Sequence, residues 1–299
     1  MILVTGATGS IGAHLVPLLL DRGVPFRALV RDAARGRALG CDHVVGDFDD
    51  PGSLATAMRG VDRLFLNTPG AQPVSGGEQP MIRRQRAAID AARAAGVSRV
   101  VKVSVRHAHQ GGRLAEGAHW EIEQYLKASG LGWTILRPGP FMQNFVTGAG
   151  TFTAEGGLVG AYGDAGVSYI DCQDIAACAA ALLSGAPSGT AGLGETHVLT
   201  GPRALTHADV AREISAVLGR PVPRVDLSPD ELAATLRSQG LPAGFAADVA
   251  ELCREVATGS LAATTTAVRE LTGREPRAFA RFLADNAGAL RDGLLAATG

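Results

Sequence analysis

Residues 2–12 read Ile2-Leu3-Val4-Thr5-Gly6-Ala7-Thr8-Gly9-Ser10-Ile11-Gly12, an apolar run that leads through three glycines into an apolar helix. Gly6 allows a tight turn, Gly9 lets the backbone approach a pyrophosphate, and Gly12 lets the helix pack closely on the strand. The free amides and the positive end of that helix then face the phosphates. An ordinary strand-to-helix turn carries similar glycines, but the flanking strand and helix are the context that the dinucleotide motif requires.

Short apolar strands alternate with helices over the first half of the chain. The predicted strands after the first are Pro25–Val30, His43–Val45, Arg63–Leu66, Arg99–Ser104 and Trp133–Leu136, with helices over Pro80–Ala95 and Gly117–Ser129. This alternation indicates an α/β fold, a doubly wound parallel sheet covered on both faces. Ligands of such sheets bind beyond the carboxyl ends of the strands. We therefore expect one crevice that contains Gly6, Arg31, Asp47, Thr68, Ser104 and Pro138.

The second half of the chain is less regular. Residues 145–167 are glycine-rich and predict a loop that closes over a ligand, whereas a helix at Asp174–Leu183 and a strand at Thr196–Leu199 return to the sheet. From Thr206 onward the pattern is mostly helical, with helix starts at Thr206 and Ser228 and near Thr264 and Pro276. We predict a nucleotide-binding domain at 1–145, to which residues 168–200 return, and a substrate loop with a smaller C-terminal subdomain at 146–299.

Composition favours a small-molecule partner. The 299 residues carry a net charge of −1, which gives no general attraction to nucleic acid or to an anionic membrane. The first strand follows Met1 without room for a leader, and no apolar run reaches the roughly 18 residues of a membrane span, so we expect a cytoplasmic protein. The four cysteines lack metal or redox spacing and are interpreted as reduced thiols. A homodimer is compatible with the sequence.

The end of the second strand selects the form of the cofactor. In this fold an acidic residue there binds the ribose 2′-hydroxyl of NAD, whereas an arginine accommodates the 2′-phosphate of NADP. Arg31 occupies the position and favours NADPH, although Asp32 beside it is a contrary sign. Asp47 and Phe48 follow the third strand and either contact the adenine or form an ordinary turn.

Further motifs extend over nearly the whole chain. They are Ala28-Leu29-Val30-Arg31, Val101-Lys102-Val103-Ser104, His119-x-x-x-Glu123, Ser129-Gly130-Leu131-x-Trp133-Thr134-Ile135-Leu136-Arg137-Pro138, Phe141-Met142-x-Asn144, Ile170-Asp171-x-x-Asp174-Ile175-Ala176 and Leu199-Thr200-Gly201-Pro202. Together with the glycine turn they resemble the NmrA-like family of atypical short-chain dehydrogenase/reductases.

The resemblance implies a Rossmann domain that prefers NADP(H) and a small C-terminal subdomain. Some members of that family reduce quinones, triarylmethane dyes or conjugated aromatic substrates, and others only sense the redox state of the cofactor. The cofactor contacts that it implies fall on Gly6, Thr8, Gly9, Ser10, Ile11, Gly12, Arg31, Asp47, Phe48, Thr68 and Lys102.

The Tyr-x-x-x-Lys pair of typical short-chain dehydrogenases does not occur in this sequence. Its tyrosines are Tyr125, Tyr162 and Tyr169, and the residues four positions later are Ser129, Gly166 and Gln173. The resemblance places His119 and Glu123 at the corresponding helix positions. One interpretation is that Glu123 fixes the tautomer of His119 and supports its protonated form, which makes His119 a proton donor. The alternative is a purely structural pair.

Two further catalytic candidates follow the fifth strand. Lys102 is one of only two lysines, and at this strand end an ammonium would hold the nicotinamide ribose or stabilise an oxyanion, unless it is an ordinary strand-edge lysine. Ser104 points to the same face and offers a hydroxyl donor. We expect Phe141, Asn144 and Tyr169 on the substrate side, with a core position as the alternative for Tyr169.

No metal site is predicted. His107 and His109 have a spacing that can chelate, but no convincing third ligand lies near them in the sequence, so they are interpreted as loop histidines. The leading hypothesis is an NADPH-dependent reductase of a quinone, conjugated ketone or aromatic polyketide-like molecule. The alternatives are an NADP(H)-sensing regulator that binds a protein partner, and a tailoring enzyme without net NADPH consumption.

Overall fold

A computed structural model describes residues 1–147, 151–185 and 192–298. Its strands are β1 (Ile2–Val4), β2 (Phe26–Val30), β3 (His43–Val45), β4 (Arg63–Leu66), β5 (Arg99–Val103), β6 (Gly132–Pro138), β7 (Leu158–Gly160), β8 (Glu195–Leu199) and β9 (Arg224–Asp226). Its helices are α1 (Gly12–Asp21), α2 (Ala33–Ala38), α3 (Pro51–Ala57), α4 (Pro80–Ala94), α5 (Leu114–Lys127), α6 (Asn144–Thr147), α7 (Cys172–Ser184), α8 (His207–Leu218), α9 (Pro229–Ser238), α10 (Ala243–Ala257), α11 (Ala267–Thr272), α12 (Phe279–Asp285) and α13 (Ala287–Thr298).

The main sheet has the strand order β3-β2-β1-β4-β5-β6-β8, and every pairing in it is parallel. The order reverses between β1 and β4, where Ile2 lies opposite both Phe26 and Arg63. A reversal of this kind opens a crevice at the carboxyl ends of the two central strands. The predicted doubly wound fold is confirmed.

Each face of the sheet is buried by its own helices. On one face α1 and α7 contribute Leu15, Leu19 and Ile175 to the core, and on the other α4 and α5 contribute Ile89 and Ile122. Burying side chains of this size stabilises the fold by about 1.5–3 kcal/mol each. The central strands of the main sheet are mostly apolar because both of their faces are covered.

A third core lies within the C-terminal half. It packs Tyr169 with residues of α8 and α12, among them Val210, Ile214 and Phe282. Val268 of α11 instead joins the core beside α1 and α7, so the chain returns to the main sheet once more than the sequence predicts. The proposed division at residue 145 stays a prediction.

The structure also corrects several element predictions. The segment 145–167, predicted as a loop, contains β7, which pairs with β9 as a two-stranded parallel sheet; residues 148–150 of this segment lie outside the described ones. The sequence analysis missed α2, α3, α10 and α13. None of the helices in the described ranges is both long and apolar enough to cross a bilayer.

Candidate functional site

The glycine turn is fixed between the two central strands. Gly6 has a φ of +65°, a conformation that favours glycine, and the Gly9 amide donates to the Gly6 carbonyl at 3.0 Å. The Thr5 hydroxyl lies 2.9 Å from the carbonyl oxygens of both Phe65 and Asn67 and accepts the Asn67 amide. These contacts hold the residues after β4 against the turn.

Helix α1 packs directly on this turn. A Cβ at Gly12 would overlap the Gly6 carbonyl oxygen and lie 2.6 Å from the main chain of Ala7, so this position requires glycine. The residue before the helix, Ile11, supplies no side-chain acceptor to the first turn. Ala13 and His14 already donate their amides to the Gly9 and Ile11 carbonyls, so phosphate oxygens would meet the amides that precede them.

The turn forms one end of a cleft of about 430 Å³. The predicted cofactor residues that line it are Gly6, Thr8, Gly9, Ser10, Ile11, Arg31, Asp47, Phe48 and Thr68. Gly12 and Lys102 are not among its lining residues, and neither are Ser104 and Pro138. The sequence analysis missed Asn67, Pro69 and Arg84, which also line the cleft.

Arg31 lies exposed in the cleft wall at the carboxyl end of β2. Asp32, the contrary sign for NADP, accepts the Ala34 amide at 2.6 Å as the N-cap of α2. No ion pair to Arg31 occurs among the residues that the structure describes. The cap engages one oxygen of Asp32, and Arg31 supplies the positive charge at this strand end, which fits a 2′-phosphate.

Arg84 reaches the same cleft from α4. Its Nε and Nη2 donate to one oxygen of Asp49 at 3.0 and 2.7 Å, and Arg83 pairs with the other oxygen at 2.6 Å. These donors hold the pKa of Asp49 below its usual value. Asp47 accepts the Asp49 amide at 2.9 Å, so its carboxylate also shapes this turn. The sequence analysis assigned no role to these arginines, because a sequence pattern does not show the approach of α4 to the residues after β3.

Lys102 lies under α5. Its side chain is 0% exposed, and Nζ lies 2.8 Å from Nδ1 of His119 and donates to the Val103 carbonyl at 3.0 Å. Burial lowers the pKa of Lys102 to about 7; Glu123 opposes this shift and Arg137 adds to it. The expected position of Lys102 in the cofactor crevice is therefore corrected, because β5 turns this side chain toward α5.

The predicted pairing of His119 with Glu123 is wrong in this structure. Glu123 is 0% exposed and accepts Nε and Nη2 of Arg137 at 2.9 and 2.6 Å, and the Ser104 hydroxyl at 2.6 Å. His119, 7% exposed, contacts Lys102 instead. Burial, followed by the charges of Lys102 and Arg137, lowers the pKa of His119 well below its ordinary value. The resting imidazole is therefore neutral, contrary to the expected imidazolium.

The predicted substrate residues lie in different parts of the structure. Phe141 lines the cleft, whereas Asn144 is exposed at the start of α6 and does not line it. Tyr169 is 6% exposed in the C-terminal core, where its hydroxyl lies 2.6 Å from that of Tyr162 and its ring meets Phe145 edge-on. This is the core position left open for Tyr169.

His107 and His109 lie in the loop between β5 and α5. Nε2 of His107 lies 2.9 Å from the Ser260 carbonyl, and Nδ1 of His109 lies 2.7 Å from the His107 carbonyl. A group of three or more histidine, cysteine or acidic residues arranged for a metal ion does not occur in the described part of the chain.

Known proteins resemble the chain over almost its full length. A model of the NmrA-like family matches residues 1–282. An NAD(P)H azoreductase of Xenophilus azovorans is 35% identical, over 97% of this chain and 99% of the azoreductase. The (4-alkanoyl-5-oxo-2,5-dihydrofuran-3-yl)methyl phosphate reductase of Streptomyces griseus is also 35% identical, with 97% and 99% covered.

A solved structure agrees with the fold. The NADPH-dependent quinone oxidoreductase QOR2 of Escherichia coli, crystallised with NADPH, superposes with a TM-score of 0.80 at 30% identity, covering 95% of this chain and 99% of its own. The sequence motifs and the architecture thus lead to the same group of proteins.

Proposed function

The chain belongs to the NmrA-like family, and we propose that it is an NADPH-dependent reductase that transfers hydride to a quinone, conjugated ketone or aromatic polyketide-like molecule. The observation that carries this proposal is the glycine-lined cleft with Arg31 at its β2 end. The names of the azoreductase and of the quinone oxidoreductase, which specify NAD(P)H and NADPH, support the same cofactor here.

The cleft residues suit the parts of NADPH. The turn from Gly6 to Ser10 and the uncapped start of α1 would hold the pyrophosphate, and Arg31 would hold the 2′-phosphate. Phe48 supplies an apolar surface for the adenine ring. When bound, NADPH supplies a hydride from its nicotinamide ring.

The proposed substrate class follows from the acid groups that the chain offers. A conjugated acceptor spreads the added electrons over its π-system and needs only a weak acid. His119 is such an acid in its neutral form, and it lies on α5, where the resemblance expects the proton donor. The proposal therefore assigns proton donation to His119 rather than to a tyrosine.

The test is NADPH oxidation by the purified protein with a benzoquinone, a naphthoquinone, an azo dye and a conjugated ketone. We expect turnover with at least one acceptor, and retention of NADPH binding in its absence. Tight NADPH binding without oxidation across the panel would favour the sensing regulator. Conversion of an acceptor without loss of NADPH would favour the tailoring enzyme.

A further inference from the structure

We propose, on the basis of the reductase function above, that Lys102 is a buried proton reserve for His119 and passes it a proton as His119 protonates the reduced substrate. Lys102 acts through His119 and is a positioning residue, whereas His119 is the residue to which the proposed function assigns proton donation to the substrate.

The direction of the hydrogen bond follows from the chemistry of the two groups. While Lys102 is an ammonium, which has donors and no acceptor, the hydrogen at the 2.8 Å contact belongs to Lys102 and the lone pair to Nδ1 of His119. The hydrogen of the neutral imidazole then lies on Nε2. The Lys102 contact therefore fixes the tautomer that can donate from Nε2.

The charge of the Glu123 carboxylate favours the ammonium form of Lys102, but the hydrogen bonds of this carboxylate go to other residues. Arg137 engages both oxygens of Glu123, and the Ser104 hydroxyl donates to one of them. Among the described residues, the acceptors within hydrogen-bond distance of Lys102 Nζ are the neutral Val103 carbonyl and the neutral His119 ring. A fully buried ammonium with neutral partners releases its proton more readily than an exposed one, since burial penalises its charge.

The proton transfer balances without a further reactant. Once the substrate has accepted hydride, its carbonyl or quinone oxygen takes the proton from Nε2 of His119. The Nε2–H bond breaks as Nδ1 gains a proton from Nζ of Lys102. Lys102 is left as a neutral amine, and His119 remains neutral with its hydrogen on Nδ1. Water returns a proton to the pair before the next turnover.

The chain supplies a matched control for this step. Lys127 is the other lysine, lies on α5, and places Nζ 3.7 Å from the same Glu123 carboxylate, but it is partly exposed and does not contact His119. Lys102→Met and Lys127→Met each replace an ammonium near Glu123 with an apolar side chain. Lys102→Arg keeps the positive charge but not a releasable proton, because guanidinium stays protonated throughout the usable pH range.

Two measurements test the proposal. In kinetics with an acceptor that the wild type reduces, we expect Lys102→Met and Lys102→Arg to lower kcat about 10- to 100-fold. The KM for NADPH should stay unchanged. The wild-type kcat should fall as pH rises through about 7, where Lys102 loses its proton, and this fall should be absent in both variants. In ¹⁵N NMR of histidine, we expect wild-type His119 to carry its hydrogen on Nε2 and to resist protonation. In Lys102→Met the histidine should protonate at a higher pH. Lys127→Met should match the wild type in both measurements.

The failures are distinct. If the wild type is active and Lys102→Met leaves its kcat and pH profile unchanged, Lys102 does not pass a proton to His119, although the reductase function still holds. A wild-type kcat in Lys102→Arg would lead to the same conclusion. Below pH 7, where Lys102 carries its proton, an Nδ1–H tautomer of His119 in the resting wild type would contradict the proposal without reference to turnover. A wild type that binds NADPH but reduces no acceptor would overturn the reductase function together with the reserve.

Discussion

The carboxylate of Asp32 accepts the backbone N–H of Ala34 at 2.6 Å and so caps the short helix α2. Because of this bond, the two opposite charges at the end of β2, Arg31 and Asp32, have different partners. Asp32 is engaged by its own main chain, whereas Arg31 lines the cleft. An acidic residue beside the NADP-selecting position is thus compatible with a preference for phosphate.

Arg31→Ser is expected to weaken NADPH binding with little effect on NADH. A charge-assisted hydrogen bond contributes about 1.5–3 kcal/mol, so its loss should raise the Kd for NADPH about 10- to 100-fold. Titration of both cofactors by tryptophan or nicotinamide fluorescence measures the ratio. Arg35→Ser is the control, because Arg35 lies exposed on α2 outside the cleft lining. An equal loss of affinity for NADH and NADPH would show that Arg31 does not bind the 2′-phosphate.

Gly12→Ala is expected to destabilise the protein, although alanine is the better helix former. The added Cβ would meet the main chain of Gly6 and Ala7, and overpacking of this kind costs about 1–3 kcal/mol. Gly244→Ala is the matched control in the first turn of α10, where the space around the glycine is open and alanine should be neutral or stabilising. Urea denaturation measures both; equal stability of the two variants would contradict the close packing of α1.

The sequence was sufficient to predict the sheet and the glycine turn because both are local patterns. Alternating apolar runs specify buried strands, and the spacing of Gly6, Gly9 and Gly12 specifies the turn. The position of Arg31 could also be predicted, because the end of the β2 strand is visible in the sequence.

The hydrogen-bond partners of the polar side chains could not be predicted from local sequence patterns. The helical spacing of His119 and Glu123 suggested a pair, but both face the sheet, where Lys102 and Arg137 from neighbouring strands bind them separately. Arg84 reaches the cleft only because α4 packs beside the residues after β3. These contacts depend on the angle between helix and sheet, which a local sequence pattern does not determine.

Glu116 is expected to make stability depend on pH. It faces Glu255 of α10, its Oε2 is buried without a hydrogen-bond partner among the described residues, and burial followed by Glu255 raises its pKa from 4.5 to about 7. Between these values the folded state retains a proton that the unfolded state has lost, so stability falls as pH rises from 4.5 to 7.

Glu116→Gln should remove this dependence. We expect the free energy of unfolding of the variant to match that of the wild type near pH 4 and to exceed it above pH 7, by about 1 kcal/mol at most because Glu116 as a whole is only partly buried. Thermal unfolding across the pH range measures the difference. Glu121→Gln, an exposed position of the same helix that pairs with Arg86, should leave the pH profile unchanged. A parallel pH profile for Glu116→Gln and the wild type would reject the assignment.

Tyr169→Phe separates a core role from a substrate role. The hydroxyl of Tyr169 lies 2.6 Å from that of Tyr162 within the C-terminal core, so its removal should cost about 1 kcal/mol of unfolding free energy and leave the substrate KM unchanged. Tyr162→Phe breaks the same hydrogen bond from the other side and should lose a similar amount. In the double variant the two losses should not add, because both report one shared interaction. A rise in substrate KM in Tyr169→Phe but not in Tyr162→Phe would instead place Tyr169 at the substrate, as the sequence first suggested.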